Sequence, residues 1–371
     1  MDMNQQNSNE SKVRYAVVGL GAFAQEAILP AFKNSTGCEL AALVSGDDSK
    51  RRELAQKYNV RRVVGYEQYD SLLASGDVDA VYIALPNTLH CEYTVRAARA
   101  GVHVLCEKPM AMDEAECREM IGACRAAKVK LMIAYRLHFE QANMTAVELV
   151  QAGEIGEPRL FSSIFTMQVD PHNSRIDPDL DAGPLYDIGI YCINAARYIF
   201  RAEPYEALAC TGRKADDPRF DEVEEQLAGL LRFSDDRLAT FAVGFGAENR
   251  SRYEVVGTSG SLALDPAYSH RGELCHELHS HGRTSRRKFS SHDQIAPEII
   301  HFASCIRQDR DPEPPGEEGL ADVRIIRALY ESAATGRAVR IEPSREKRPD
   351  ALQAMRPHNR PAKSVPAHQL H

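Results

Sequence analysis

The segment "RYAVVGLGAFAQEAI", residues 14–28, sets G-x-G-x-x-A at Gly19, Gly21 and Ala24 between an apolar strand and a helix. No other feature constrains the folding of this chain as strongly. Gly19 permits a tight turn, Gly21 lets the backbone approach a pyrophosphate, and small Ala24 allows close packing of helix on strand. The turn, completed by Ala22 and Phe23, directs N–H groups of a helix N-terminus at phosphate oxygens. A glycine fingerprint alone is weak, but here a strand precedes it, a helix follows it and a second strand comes at the right distance.

That second strand and its successors repeat one theme. "CELAALVS", "VDAVYIAL", "HVLCEKP" and "KLMIAY" read as short buried strands, separated by the helices "SKRRELAQKYN", "HCEYTVRAARA" and "DEAECREMIGACRAAK". Such alternation implies a parallel sheet covered on both faces. After about residue 136 the pattern changes to strands with hairpin turns, such as "EEQLAGLLRFS" and "RLATFAVGFG". The expected fold is therefore α/β: an N-terminal doubly wound parallel sheet, then a C-terminal α+β domain with a large mixed, mostly antiparallel open sheet. Residues 13–136 and 137–343 are the expected domains, and 371 residues suit two cores. The helices "IAPEIIHFASCIR" and "GLADVRIIRALYESAATG" are expected to close the second domain, and Pro30 to interrupt the first helix. Residues 1–12 and the Pro-, Arg- and His-rich 344–371 lack a burial pattern and are expected to be flexible tails.

The formal net charge of −8 disfavours nucleic acid as a partner, and no apolar run approaches a membrane span. The polar start carries no apolar export segment, and the nine cysteines form no C-x-x-C pair. Free thiols in a reducing cytoplasm are expected. "CHELHSHGR" bunches Cys275, His276, His279 and His281, but the spacing is irregular and a solvated hairpin is the better reading, so no metal is expected.

The second strand ends in Ser45 and Gly46, where an NAD site normally carries an acid for the ribose hydroxyls. Lys50, Arg51 and Arg52 follow. A small hydroxyl beside cations suits a 2′-phosphate, so NADP is favoured; Asp47 and Asp48 keep NAD open. At the C-terminal end of a later parallel strand stand Glu107, Lys108 and Pro109, where ligands of such folds bind. In "LYDIGIYCIN", Asp187 and Tyr191 share one face of an otherwise apolar helix, with Asn194 nearly aligned. Burying a carboxylate is costly without a partner.

With G-x-G-x-x-A, "LPNTLH" (85–90), "CEKPMA" (106–111), "AYR" (134–136) and "DIGIYCIN" (187–194), the chain resembles the Gfo/Idh/MocA oxidoreductase family over about residues 13–343. "VSG" and "EPPGEEGLADVR" (313–324) place the resemblance nearest the glucose–fructose oxidoreductase branch. It implies hydride transfer between a nicotinamide and a sugar hydroxyl or carbonyl, with a homo-oligomer, dimer or tetramer, as the working form. It implies catalytic roles for Lys108, Asp187 and Tyr191, lining a cleft between domains. Tyr191 would be the acid–base group, Lys108 the cation that polarises the reacting oxygen and favours the phenolate, and Asp187 the partner of the ammonium and of a neighbouring substrate hydroxyl. Leu85, Pro86, Asn87, His90, Glu107, Lys108 and Arg136 would join the turn residues around the cofactor, unless His90 only caps a helix; Arg136 and His138, where the domains join, would contact substrate or serve as a structural hinge. Two departures stand out. Only Gly183, followed by Pro184, precedes the acid where relatives often carry a run of glycines, and Tyr191 and Asn194 replace the His and Asp of many relatives. Keto-sugar reduction and a non-catalytic dinucleotide-binding regulator are the rival readings. Retention of Lys108, Asp187 and Tyr191 together argues against the regulator, which needs only the binding turn.

Overall fold

The computed structural model describes residues 11–171, 173–177 and 183–342. The expected tails, apart from Ser11 and Lys12, lie outside the described residues.

Six parallel strands form the first sheet: β1 (Val13–Val18), β2 (Cys38–Val44), β3 (Arg62–Val64), β4 (Ala80–Ile83), β5 (His103–Glu107) and β6 (Leu131–Ala134), in the order β3-β2-β1-β4-β5-β6. Every residue of β4 and of β6 is buried, as apolar strands covered on both faces require. The order reverses between β1 and β4, which opens a crevice at the C-terminal strand ends.

The helix after β1 spans residues 22–31. Pro30 does not interrupt it. The turn Ala24–Ile28 is π-helical, and the Leu29 N–H donates to Ala24 O five residues back. This wider turn directly precedes Pro30, which has no N–H to donate.

The second sheet has nine strands: β7 (Pro158–Gln168), β8 (Pro204–Gly212), β9 (Gln226–Phe233), β10 (Leu238–Gly244), β11 (Gly246–Gly257), β12 (Gly260–Leu264), β13 (Leu274–Ser280), β14 (Arg283–Phe289) and β15 (Val339–Arg340). Their order is β14-β13-β12-β11-β7-β10-β9-β8-β15, antiparallel except for the β10–β7 pair. Leu227, Gly229, Leu231 and Phe233 of β9 face inward while Gln226 and Ala228 face out, the alternation of a sheet with one covered face. Helices 184–200 and Gly316–Thr335 pack on the covered side.

One expected placement changes. The helix Ile295–Arg307 does not pack on the second sheet. Its Ile295, Ile299 and Phe302 join Tyr15, Val17 and Leu43 in the core beneath the parallel sheet. The Tyr15 hydroxyl donates to Ile299 O at 3.0 Å. An apolar helical stripe fits either sheet, so its periodicity carried no information about which one it covers.

Candidate active site

The phosphate turn is built as its glycines require. Gly19 adopts φ +95°, and a Cβ there would lie 2.4 Å from Ala84 O. At Gly21 a Cβ would meet nothing within 4 Å. The protein itself therefore leaves Gly21 room, which is what a pyrophosphate needs. Gly21 and Ala22 are exposed, Phe23 is half-buried, and Ala24 is buried against the sheet.

At the end of β2, both neighbouring acids are engaged by protein. Asp47 Oδ1 caps the helix Asp48–Tyr58, accepting from the N–H groups of Ser49 and Lys50 at 3.0 Å each. Those N–H bonds, that of Lys50 above all, lower its pKa. Asp48 pairs with Arg51, which also donates to Ser45 O. Lys50 Nζ lies 3.6 Å from Asp47. Ser45 is buried, and its hydroxyl accepts from Asp47 N–H at 3.2 Å.

Lys108 follows β5 and reaches across to the helix 184–200. Its Nζ donates to Asp187 O at 2.7 Å and to Asp187 Oδ1 at 3.2 Å. The other carboxylate oxygen, Oδ2, accepts from Arg175 Nε at 2.6 Å. Burial alone would push the Asp187 pKa up, but the two cations bring it down to about 2. Burial likewise opposes the charge on Lys108, yet Tyr191, Asp187 and Glu107 together raise its pKa. This helix also begins with a π-helical turn, Leu185–Gly189, which contains Asp187. Such turns occur often at functional sites.

Lys108 stands beside Tyr191, as expected, but makes no hydrogen bond to its hydroxyl. Lys108 Nζ lies over the phenol ring, 4.9 Å from its centroid. The hydroxyl instead accepts from Arg136 Nε at 3.2 Å. Arg136 Nη1 donates to Gln294 Oε1 at 2.6 Å and Nη2 to Tyr268 O at 2.5 Å. Tyr268 stacks on Tyr191 with ring centroids 6.0 Å apart.

Two of the expected contact residues are engaged by the protein itself. His90 is fully buried, and its Nδ1 and Nε2 lie 2.9 Å from Pro109 O and Leu85 O. It ties together the segments that follow β4 and β5, and burial lowers its pKa against the pull of those carbonyls. His138 is also buried, with Nε2 2.8 Å from Asn194 Oδ1, and Asn194 donates onward to Asp322 at 2.9 Å. That network leads into the ion cluster around Arg197, Glu318 and Asp322, and His138 also lines a pocket with Tyr191 and Asn194. Histidine serves equally well as a buried hydrogen-bonding residue and as a ligand contact, so residue type alone did not distinguish the two. Leu85 is buried against the Gly19 turn, and Pro86 and Asn87 are half-buried beside it. Glu107 is buried and accepts from the Tyr82 hydroxyl at 2.8 Å.

The histidine-rich stretch is β13 and its turn. Buried His276 lies 2.7 Å from Ala142 O, and His279 lies on the outer side beside Thr284. Alternation along the strand separates neighbours. Among the described residues no group of three or more His, Cys, Asp or Glu could hold a metal ion.

Comparison with known proteins fits this geometry. The oxidoreductase family profile with an NAD-binding Rossmann fold, GFO/IDH/MocA, matches residues 13–135, and the GFO/IDH/MocA C-terminal domain profile matches residues 143–263. The chain belongs to the Gfo/Idh/MocA oxidoreductase family. Among its Gfo/Idh/MocA relatives, an NADP(+) D-xylose 1-dehydrogenase of Haloarcula marismortui is 33% identical over 92% of this chain and 96% of its own. A dTDP-3,4-didehydro-2,6-dideoxy-alpha-D-glucose 3-reductase of Streptomyces violaceoruber is 34% identical over 80% of this chain and 86% of its own. The structure of the Caulobacter crescentus aldose–aldose oxidoreductase with glycerol superposes with TM-score 0.85 at 38% identity, covering 89% of this chain and 99% of that one. A 3-ketoreductase of Actinomadura kijaniata, with NADP and TDP-benzene, gives TM-score 0.80 at 26% identity over 87% and 98%. The chain is thus an oxidoreductase with a Rossmann domain and a mixed-sheet second domain. Its sequence motifs pointed to Lys108, Asp187, Tyr191 and Arg136. Arg175, Tyr268 and Gln294 lie in no motif and were found only through the folded contacts.

Proposed function

We propose that this protein is an NADP-dependent sugar oxidoreductase, with NAD a weaker cofactor. The observation that carries the reading is the grip of Lys108 on Asp187 beside Tyr191, at the strand ends of a sheet whose first turn leaves room for a pyrophosphate. The xylose dehydrogenase, the 3-reductases and the aldose–aldose oxidoreductase among its relatives support a sugar substrate. For the cofactor, Gly19, Gly21, Ala22 and Phe23 would hold the pyrophosphate, and Ser45 with Lys50 and Arg51 the 2′-phosphate. Asp47 and Asp48 are occupied by helix cap and ion pair, which removes the acids that would favour an unphosphorylated ribose.

A bound nicotinamide supplies or accepts the hydride. The chain's own groups handle the proton and the oxygen. Of the three N–H bonds of the Lys108 ammonium, two go to Asp187, which leaves one for the reacting sugar oxygen. In oxidation Tyr191 takes the hydroxyl proton as hydride leaves the carbon; in reduction it returns that proton to the new alkoxide. Asp187 fixes the direction of the ammonium.

The test is turnover with a panel of aldoses and keto-sugars, in both directions, with NADP and NAD. Absence of turnover in protein that binds NADPH would replace this reading with the regulator. Equal or tighter NADH binding in a fluorescence titration would overturn the cofactor preference.

The working form is a homo-oligomer joined through the outer face of the second sheet. Leu160, Leu208 and Val256 are 51%, 42% and 39% exposed, and all three lie on that face. Leu160 and Val256 are cross-strand partners. Arg232–Glu206 and Arg252–Glu254 pairs on the same face offer both charge signs, as a two-fold self-complementary contact requires. A cytoplasmic setting is supported by the nine free cysteines. No helix among the described residues is long and apolar enough to cross a membrane.

A further inference from the structure

The proton-transfer reading leaves one charge unaccounted for. Arg136 is only 6% exposed, and a guanidinium stays charged at any working pH. Its partners are an amide oxygen, a backbone carbonyl and a phenol, all neutral. Among the described residues it forms no ion pair with a carboxylate. A buried charge without a counter-charge is among the costliest features a fold can keep.

No surrounding acid is paired with Arg136. Glu107 accepts from the Tyr82 hydroxyl and from the Lys108 backbone N–H, and Glu298, which burial holds towards its neutral form, also faces the Tyr82 hydroxyl. Tyr82 hydroxyl lies 2.8 Å from Glu107 and 3.1 Å from Glu298. One phenol proton serves one of these two carboxyls, and the other needs a proton of its own. Asp187 is ionised, but Lys108 and Arg175 already hold its two oxygens. His270, which also lies within the field of Arg136, is kept neutral by burial, with a pKa near 4. The charged groups around Tyr191 include Lys108 at the end of β5, Arg175 before the helix, Asp187 on the same helix, and Arg136. Arg136 is the cation among them with no carboxylate partner.

Resting on the proposed reading, we propose that Arg136 is matched to an anion that exists only during the reaction: the Tyr191 oxygen after its proton has passed to the sugar. In reduction the Tyr191 O–H bond breaks as the new sugar O–H bond forms, hydride having bonded to the carbonyl carbon. The electron pair stays on the phenol oxygen, against the Arg136 Nε–H, until solvent returns a proton. Oxidation runs the same steps backwards. Lys108, over the ring and bound to Asp187, then directs its remaining N–H to the sugar oxygen. Two cations divide two oxygens. Gln294 and the Tyr268 carbonyl hold the guanidinium plane, so its Nε–H is set before the charge appears. Gln294 is fixed in turn by donating to Ser269 O at 3.1 Å.

The test is a double-mutant cycle on hydride transfer, in a single turnover with enzyme already saturated by NADPH. Arg136→Met is expected to lose about 10²–10³-fold, the scale of removing one preorganised donor. In the Tyr191→Phe background the same change is expected to cost less than about threefold, because the oxygen it serves is gone. Saturation with NADPH keeps any change in cofactor affinity out of the measured rates. Equal losses in both backgrounds would overturn the proposal, since Arg136 would then act on substrate or packing. Should Arg136→Met not fold, Arg136→Lys carries the same cycle. Where both fold, the Lys variant should be the faster, as it retains charge; a Lys variant as slow as Met also overturns the proposal. Failure of the underlying reading is separate: Tyr191→Phe would itself transfer hydride at the unmutated rate.

Discussion

At the scale of single residues, the paired roles of Lys108 and Tyr191 give the sharpest expectation. Tyr191→Phe should keep the fold and bind NADPH but lose roughly 10²–10⁴ in turnover. Lys108→Ala should lose at least as much, and the two losses should not add, because both act on one proton transfer. Single-turnover hydride transfer measures this directly. Asp187 adds a pH dependence. Its pKa falls from 3.8 to about 2 on folding, so its contribution to stability is complete above pH 3.8 and is lost as pH drops through about 2. Denaturant titrations of Asp187→Asn and the unmutated protein at pH 6 and pH 2 should show a gap that narrows by about 2 kcal/mol in acid. A gap independent of pH would mean that Asp187 is no better stabilised as an anion than in the unfolded chain. The residues legible in sequence were those whose spacing or strand-end position carries chemistry: Gly19, Gly21, Lys108, Asp187, Tyr191. Arg175 and Tyr268 were not, because they reach the site from segments with no periodicity or motif. For His90 and His138 the sequence leaves ligand contact and structural role open, and the fold engages them with backbone carbonyls and Asn194.

Among the elements, alternation of short apolar strands with amphipathic helices announced the parallel sheet, and successive strands joined by hairpin turns announced the second. The destination of helix Ile295–Arg307 was not legible. That helix carries Glu298, fully buried, with Oε1 near Tyr82 and burial raising its pKa well above the usual value. The unfolded chain releases this proton near pH 4.5, whereas the folded protein holds it to much higher pH. Stability therefore falls as pH rises through that window. Glu298→Gln, a neutral isostere, should match the original protein near pH 4 and exceed it by on the order of 1 kcal/mol or more near pH 8. Melting temperatures across that range would show it. Parallel curves for the two proteins would mean the carboxyl ionises as freely folded as unfolded.

For the molecule as a whole, the proposed assembly through the uncovered sheet face gives a direct test. Leu160→Arg together with Val256→Glu should convert the oligomer to monomer in light scattering, with the monomer's circular dichroism unchanged. An unaltered mass would place the contact elsewhere. The path of the chain has another consequence, for synthesis. The parallel sheet is encoded by Ala134, yet the side that holds Tyr15 and Val17 is covered by a helix that begins at Ile295. At about 5–20 residues per second, the ribosome needs roughly ten to thirty seconds to deliver that cover. For that interval the part of this apolar surface that Ile295, Ile299 and Phe302 will cover is expected to stay exposed, which favours aggregation. A fragment ending at Arg136 keeps that surface permanently and should aggregate or bind an apolar dye. Adding a peptide of residues 293–309 in trans should restore its solubility. In this protein the first domain to be translated is among the last to be finished.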